Sequence, residues 1–155
     1  MIFVTVGTTL PFDDLIRLVD EAVGCGAIQD KVICQIGHGA YQPRHCEFFH
    51  YSQSLSDYLD QADRVICHGG TGSTLDVVAR GKKFVAVANP KGADDHQTQF
   101  LARLAKVVPI LWTRELSEVL PLLARAENYR YQTAEVPSLA DDLNGYIAQL
   151  GSEAV

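Results

Sequence analysis

The segment Arg64–Lys83, RVICHGGTGSTLDVVARGKK, restricts the fold more than any other. Val65, Ile66 and Cys67 read as a short buried strand. His68, Gly69, Gly70, Thr71, Gly72 and Ser73 follow, and then a helix carrying Leu75, Val78 and Ala79 at apolar spacing. A strand that ends in glycines and opens into a helix forms an anion site, because glycine lets the backbone approach a ligand closely and the first-turn N–H groups have no partner within the helix. The same glycines also suit close packing of helix on strand. On the flanking strand and helix we read the loop as a phosphate cradle.

The rest of the chain repeats this alternation. Ile2–Val6 is a β-rich run that stops at Gly7, Thr8 and Thr9; Pro11 is expected in the first turn of a helix carrying Phe12, Leu15, Ile16, Val19 and Val23. Gly24 and Gly26 end that helix. Strands are expected at Lys31–Ile36, Glu47–Tyr51, Phe84–Ala88 and Val107–Leu111. Helices are expected at Ser54–Gln61, after a cap at Asp94 or Asp95, at Glu115–Ala126 and at Leu139–Leu150, with a loose connection at Glu127–Pro137. Continuous apolar strands alternating with helices imply an α/β fold, a Rossmann-like doubly wound parallel sheet, with residues 1–155 as one domain. Ligands of such sheets bind beyond the carboxyl ends of the strands. The loops Gly7–Thr9, His68–Ser73 and Asn89–Gln97 are therefore expected on one edge.

Composition narrows the ligand. The 155 residues carry a net charge of −6, which excludes nucleic acid as the main partner, so a phosphate must be held by amides, hydroxyls and a few local cations. The four cysteines form no C-x-x-C pair, and the chain opens on a strand with no visible signal peptide or membrane-length apolar run, which fits a reducing cytosol. His38, His45, Cys46 and His50 cluster in sequence, but their spacing fits no common metal site and no metal is expected there.

The loop differs from the commoner phosphate motifs. A P-loop ends in Gly-Lys-Ser/Thr, whereas Gly72 is followed by Ser73; a dinucleotide fingerprint needs a third glycine where Leu75 stands. Asp76 lies one turn into the helix, and Asp94-Asp95-His96-Gln97 opens another. A carboxylate, an imidazole and a carboxamide suit a polyhydroxylated ligand. Each also has a plainer explanation: Asp76 as a partner of the helix dipole, Asp95 as an N-cap, His68 as a hydrogen-bonded strand end, Tyr51 as a packing aromatic.

The string HGGTGSTLD, the strand FVAVAN and then DDHQTQF resemble the donor-binding half of GT-B glycosyltransferases of the family 28 type. The opening IFVTVGTTLPFDDLI resembles more closely the small catalytic subunit of the two-subunit GlcNAc transferase of dolichol-linked oligosaccharide synthesis, and the matching subunit of bacterial exopolysaccharide glycosyltransferases. The likeness runs from Ile2 to about Trp112. It implies a single GT-B donor-binding half that transfers a hexose from a UDP-sugar to a lipid-linked glycan acceptor with inversion, needing no cofactor or metal. A membrane-anchored partner would supply the missing acceptor-binding half and recruit the cytoplasmic chain to the cytosolic membrane face. A homodimer and a non-catalytic nucleotide-sugar-binding or scaffold module stay open as alternatives.

Site by site, the resemblance implies that Gly70, Thr71, Gly72 and Ser73 receive the donor diphosphate, with His68 beside it. Asp76 would bond the ribose, Tyr51 and Ser52 would flank the uracil, and Asp95, His96 and Gln97 would contact the hexose. Gly7, Thr8 and Thr9 would face the interdomain cleft. The general base is unassigned: it comes from the partner or from a residue near Thr8 or His96. Lys91 is the one cation in the sugar loop that could meet an acidic hexose.

Overall fold

The structure, a computed structural model, describes residues 1–92 and 95–129. Its elements in chain order are β1 (Ile2–Thr5), α1 (Asp13–Gly24), β2 (Val32–Gln35), β3 (Glu47–Phe49), α2 (Ser56–Gln61), β4 (Arg64–His68), α3 (Thr71–Ala79), β5 (Lys83–Val87), α4 (His96–Leu104), β6 (Leu111–Thr113), a 3-10 turn (Leu116–Glu118) and α5 (Val119–Asn128). The strands form one six-stranded sheet in the order β3-β2-β1-β4-β5-β6. Every pairing is parallel. This is the doubly wound arrangement expected from the alternation of strands and helices.

Side chains alternate across the sheet with the strand period of two. Ile2, Val4, Ile66, Val85 and Val87 point into one layer, where α1 and α5 supply Leu15, Ile16, Val19, Val119 and Leu123. Phe3, Val65, Cys67, Phe84 and Ala86 point into the other, against Leu59, Val77, Phe100 and Leu101 of α2, α3 and α4. With both faces covered, the central strands can be apolar throughout. Cys34 and Cys67 are free and buried, small hydrophobes in the strands as read from the sequence.

Several local expectations are corrected. Pro11 lies ahead of the N-cap residue Phe12, outside the first turn of α1, because the Gly7–Pro11 loop continues across the sheet edge before the helix starts. The last strand is Leu111–Thr113, not Val107–Leu111: Val107 and Val108 bond back to Leu104 in the turn that closes α4, and only from Leu111 does the chain pair with β5. The expected Glu115–Ala126 helix is a 3-10 turn followed by α5; the Thr113 hydroxyl accepts from the Glu115 amide and donates to the Glu118 carboxylate across that turn. In α3 the fully buried positions are Thr74 and Val77, while Leu75 and Val78 are partly covered and Ala79 is exposed. The helix expected at Leu139–Leu150 and most of the Glu127–Pro137 connection lie outside the described residues, as does Asp94. Among the described residues, no helix is long and apolar enough to cross a membrane.

Candidate functional site

The chain winds outward from β1 through β2 to β3, then crosses to β4 and winds the other way. The crevice between the carboxyl ends of β1 and β4 is the switch point at which such sheets bind ligands. Two of the three expected loops meet there directly. Gly7, just after β1, has φ +73°, and a Cβ on it would fall 2.6 Å from the His68 ring at the end of β4. A Cβ on Gly70 would fall 2.2 Å from His68 Nε2. The imidazole is thus packed between the two glycine loops and forms the floor of the crevice. The sequence reading gave these glycines to a ligand; the structure shows that Gly7 and Gly70 first make room for His68.

Burial pushes the His68 imidazole below its ordinary pKa, partly offset by the Thr5 backbone, and Nδ1 is buried with no hydrogen-bond partner. The ring is therefore neutral at pH 7 in the free protein, so of the polar or cationic roles open to a side chain beside the phosphates it has the polar one. It is also a buried polar atom left unpaired, which is rare away from functional sites.

Gly70 is the N-cap of α3 and offers no side chain to the helix. Thr74 is the first residue of the helix whose amide finds a backbone acceptor, the Gly70 carbonyl at 3.0 Å. The amides of Thr71, Gly72 and Ser73, ahead of it, have no acceptor within the helix, and Gly72 and Ser73 line the adjoining cleft. Nothing lies within 4 Å of a Cβ built on Gly72, so space and unpaired donors coincide. Such a helix start favours an anion by partial charge and by hydrogen bonding.

Beside this start, a cleft of about 230 Å³ runs between α2 and α3, lined by Thr5, Leu55, Leu59, Gly72, Ser73, Asp76 and Val77. Asp76 is at its rim, with Oδ1 bonded to Arg80 Nε at 2.9 Å. The expected grouping of Gly72, Ser73 and Asp76 is present. Tyr51 is placed elsewhere: it is 70% exposed and shares a second cleft of about 370 Å³ with Thr8, Gly37, His38, Gly39 and His50. The Ser52 hydroxyl is turned to the Ser54 carbonyl at 2.7 Å. Thr9 is exposed beside Thr8 in the first loop.

The third loop is tied in through Asn89, which the sequence analysis gives no role. Buried Asn89, just after β5, donates from Nδ2 to the Pro11 carbonyl at 2.9 Å, and its amide donates to Gln97 Oε1 at 2.8 Å. Gln97 therefore spends its carbonyl oxygen on the loop. His96 begins α4 in an exposed position. Asp95 occupies the N-cap position, but with φ +54° and no capping bond from its side chain, so the expected cap does not form. The left-handed region is uncommon for residues other than glycine, and aspartate enters it more readily than most. Lys91 pairs with Asp14 at 3.4 Å.

Gln35 was likewise missed. This buried side chain accepts from the Thr5 hydroxyl at 2.7 Å and donates to the carbonyls of Gly7 and His50 at 3.0 and 3.1 Å. It ties the ends of β1, β2 and β3 together and holds the Gly7 turn in place. Its only sequence signal is one amide in the apolar run VICQI. His45 packs on Gly24, apart from His38 and His50, which share the second cleft, where His50 Nδ1 meets the Gly37 carbonyl at 2.9 Å.

Residues 1–116 match the model of the glycosyltransferase family 28 C-terminal domain. The chain belongs to this family. A human protein named UDP-N-acetylglucosamine transferase subunit ALG13 is 36% identical over 116 residues, which is 68% of this chain and 10% of that protein. The chain thus spans about a tenth of the length of that relative. The protein of the same name from Yarrowia lipolytica is 29% identical over 170 aligned positions, covering 100% of this chain and 84% of the relative. Among solved structures, the solution structure of ALG13 superposes with a TM-score of 0.58 at 20% identity, over 90% of this chain and 92% of that one. The glycotransferase of kitacinnamycin gives 0.60 at 17% identity, over 97% of this chain and 39% of the other. At these identities the superpositions establish the fold, the Rossmann-like α/β domain of GT-B glycosyltransferases.

Proposed function

We propose that this family 28 domain is the donor-binding, catalytic part of an inverting glycosyltransferase that moves a hexose from a UDP-sugar to a lipid-linked acceptor. A membrane-anchored partner would supply the acceptor-binding half. The observation that carries the reading is the uncapped start of α3 at the switch-point crevice, where the amides of Thr71, Gly72 and Ser73 have no acceptor within the helix. The names of the relatives support a UDP-sugar donor and a subunit role.

In this reading the diphosphate sits on those amides, against His68 and the Gly7–Thr9 loop. Asp76 meets the ribose at the rim of the α2–α3 cleft, and the base extends toward Ser52. The hexose lies toward Asp95, His96 and Gln97. An acceptor hydroxyl attacks the anomeric carbon from the face opposite the diphosphate. The bond to the β-phosphate oxygen breaks, and UDP leaves with the electron pair. Fixed amides and the His68 ring stabilise the charge that grows on that oxygen, and Thr8 adds a hydroxyl from across the crevice. A base on the partner, or near Thr8 or His96, takes the acceptor proton.

The test is calorimetric titration of UDP, UDP-sugars and other nucleotides into the wild type and Gly72→Trp. The indole fills open space, so the melting temperature stays near wild type, while UDP affinity falls by at least about tenfold. Undiminished UDP binding by Gly72→Trp would remove the diphosphate from this corner.

A further inference from the structure

The proposed ribose contact, Asp76, is on an exposed turn, where a carboxylate would ordinarily sample several rotamers. Here it is held by a guanidinium that also reaches a second helix. Arg80, the C-cap of α3, donates from Nε to Asp76 Oδ1 at 2.9 Å, from one terminal nitrogen to Asp60 Oδ1 at 2.6 Å, and from the other to the Ser56 hydroxyl at 3.0 Å. Asp60 and Ser56 belong to α2, the opposite wall of the cleft. Ser56 directly follows Leu55 in that wall.

Three features of this arrangement exceed an ordinary surface ion pair. An i,i+4 pair with the acid first is the favourable order on a helix, which fixes Asp76 relative to its own backbone. The planar fork satisfies three acceptors at fixed angles, something a lysine ammonium on a flexible stem cannot reproduce. Arg80 is also only 27% exposed, against 49% for Asp76, so the fork is anchored more firmly than the group it holds. Holding Oδ1 leaves Oδ2 for a ligand and sets the separation of the cleft walls.

We propose that Arg80 is a positioning residue for sugar recognition: it holds Asp76 across the α2–α3 cleft so that the site selects a ribonucleotide over its 2′-deoxy counterpart. This rests on the reading of Asp76 as the ribose contact. The guanidinium itself touches no ligand. Its loss is therefore felt in discrimination between two sugars as well as in overall affinity.

The test compares UDP with 2′-deoxy-UDP by calorimetric titration of the full chain. The wild type is expected to prefer UDP by about tenfold, the scale of one hydrogen bond to a charged group. Arg80→Lys, which keeps the charge, is expected to reduce the preference to within about twofold, and the milder Ser56→Ala to reduce it part-way. Asp76→Asn should abolish it, with Arg80→Lys adding nothing further to the ratio in the double variant. Equal weakening of both ligands by Arg80→Lys and by Ser56→Ala would overturn the proposal and leave Arg80 a brace between two helices. A wild type that binds UDP but does not discriminate would instead remove Asp76 from the ribose, and Arg80 with it. A wild type that binds no UDP would overturn the nucleotide reading first. Melting temperatures of each variant separate these results from loss of fold.

Discussion

Two polar clusters of the molecule are opposites. Around Asp20, on α1, every donor has found its acceptor. The buried carboxylate takes the amides of Arg44, His45 and Cys46 and the Tyr41 hydroxyl, all between 2.7 and 3.1 Å. Burial acts to raise its pKa, but these donors outweigh it and hold the carboxyl below the usual range. At the β1–β4 crevice the accounts are open: three helix-start amides without a cap and a buried imidazole nitrogen without a partner. The first cluster is complete and only holds a loop. The second is left open in the free protein. Two buried side-chain atoms among the described residues lack a partner, Asp13 Oδ1 and His68 Nδ1, and the second of them lies in the crevice where we propose the ligand.

The largest effect should come from breaking the closed cluster. Asp20→Ala leaves three amides and a part-buried hydroxyl without their acceptor and is expected to destabilise the fold by about 2–4 kcal/mol in chemical denaturation. The same cluster predicts acid sensitivity. Because the folded carboxyl has the lower pKa, its contribution is present above the unfolded value and is lost as pH falls through the folded one, so this part of the stability begins to fall below ~4 and is gone once the folded carboxyl is protonated. An Asp20→Ala variant with wild-type stability would show that the cluster is ornamental and end the contrast.

Next in size is the packing of the crevice floor. Gly7→Ala combines a positive φ with a Cβ driven into His68, and is expected to cost about 2–3 kcal/mol while also weakening UDP binding. Loss of stability with unchanged UDP affinity would separate the floor from the site.

The smallest effect is a pH dependence of binding. His68 is neutral in the free crevice because burial lowers its pKa. A diphosphate favours the imidazolium, so binding takes up a proton and UDP affinity should rise a few-fold between pH ~8 and ~6.5, before UDP itself protonates. His68→Asn should flatten this slope. A slope unchanged in that variant would place the titrating group elsewhere.

Much of this could be read from the sequence, and the exceptions share a cause. Val65–Cys67 and Phe84–Ala88 declare buried parallel strands by their continuous apolar runs, and HGGTGS declares the turn into α3 because few other arrangements need glycines there. The strand at Leu111–Thr113 was misplaced because VVPIL is as apolar as the strand that follows it, and only pairing with β5 separates them. Gln35, Asn89, Asp20 and Arg80 were passed over because their roles depend on partners 15 to 78 residues away in the chain, or on the opposite wall of a cleft. Tyr51 and Ser52 are paired by the family resemblance; in the fold Tyr51 lines the second cleft while the Ser52 hydroxyl turns to the Ser54 carbonyl. Asp95 looks like a cap by residue type, whereas its backbone takes a conformation that no local pattern announces.

The central claim is that the start of α3 is an unfilled anion site. It is tested most directly by following backbone amide resonances while UDP is titrated into the isotopically labelled chain. Thr71, Gly72 and Ser73 should show the largest shifts, with Gly7 and the His68 ring moving alongside them, and the Arg44–Cys46 amides held by Asp20 should stay still. Saturable binding that leaves the Thr71–Ser73 amides unmoved, or UDP that shifts no resonance at all, would contradict the account.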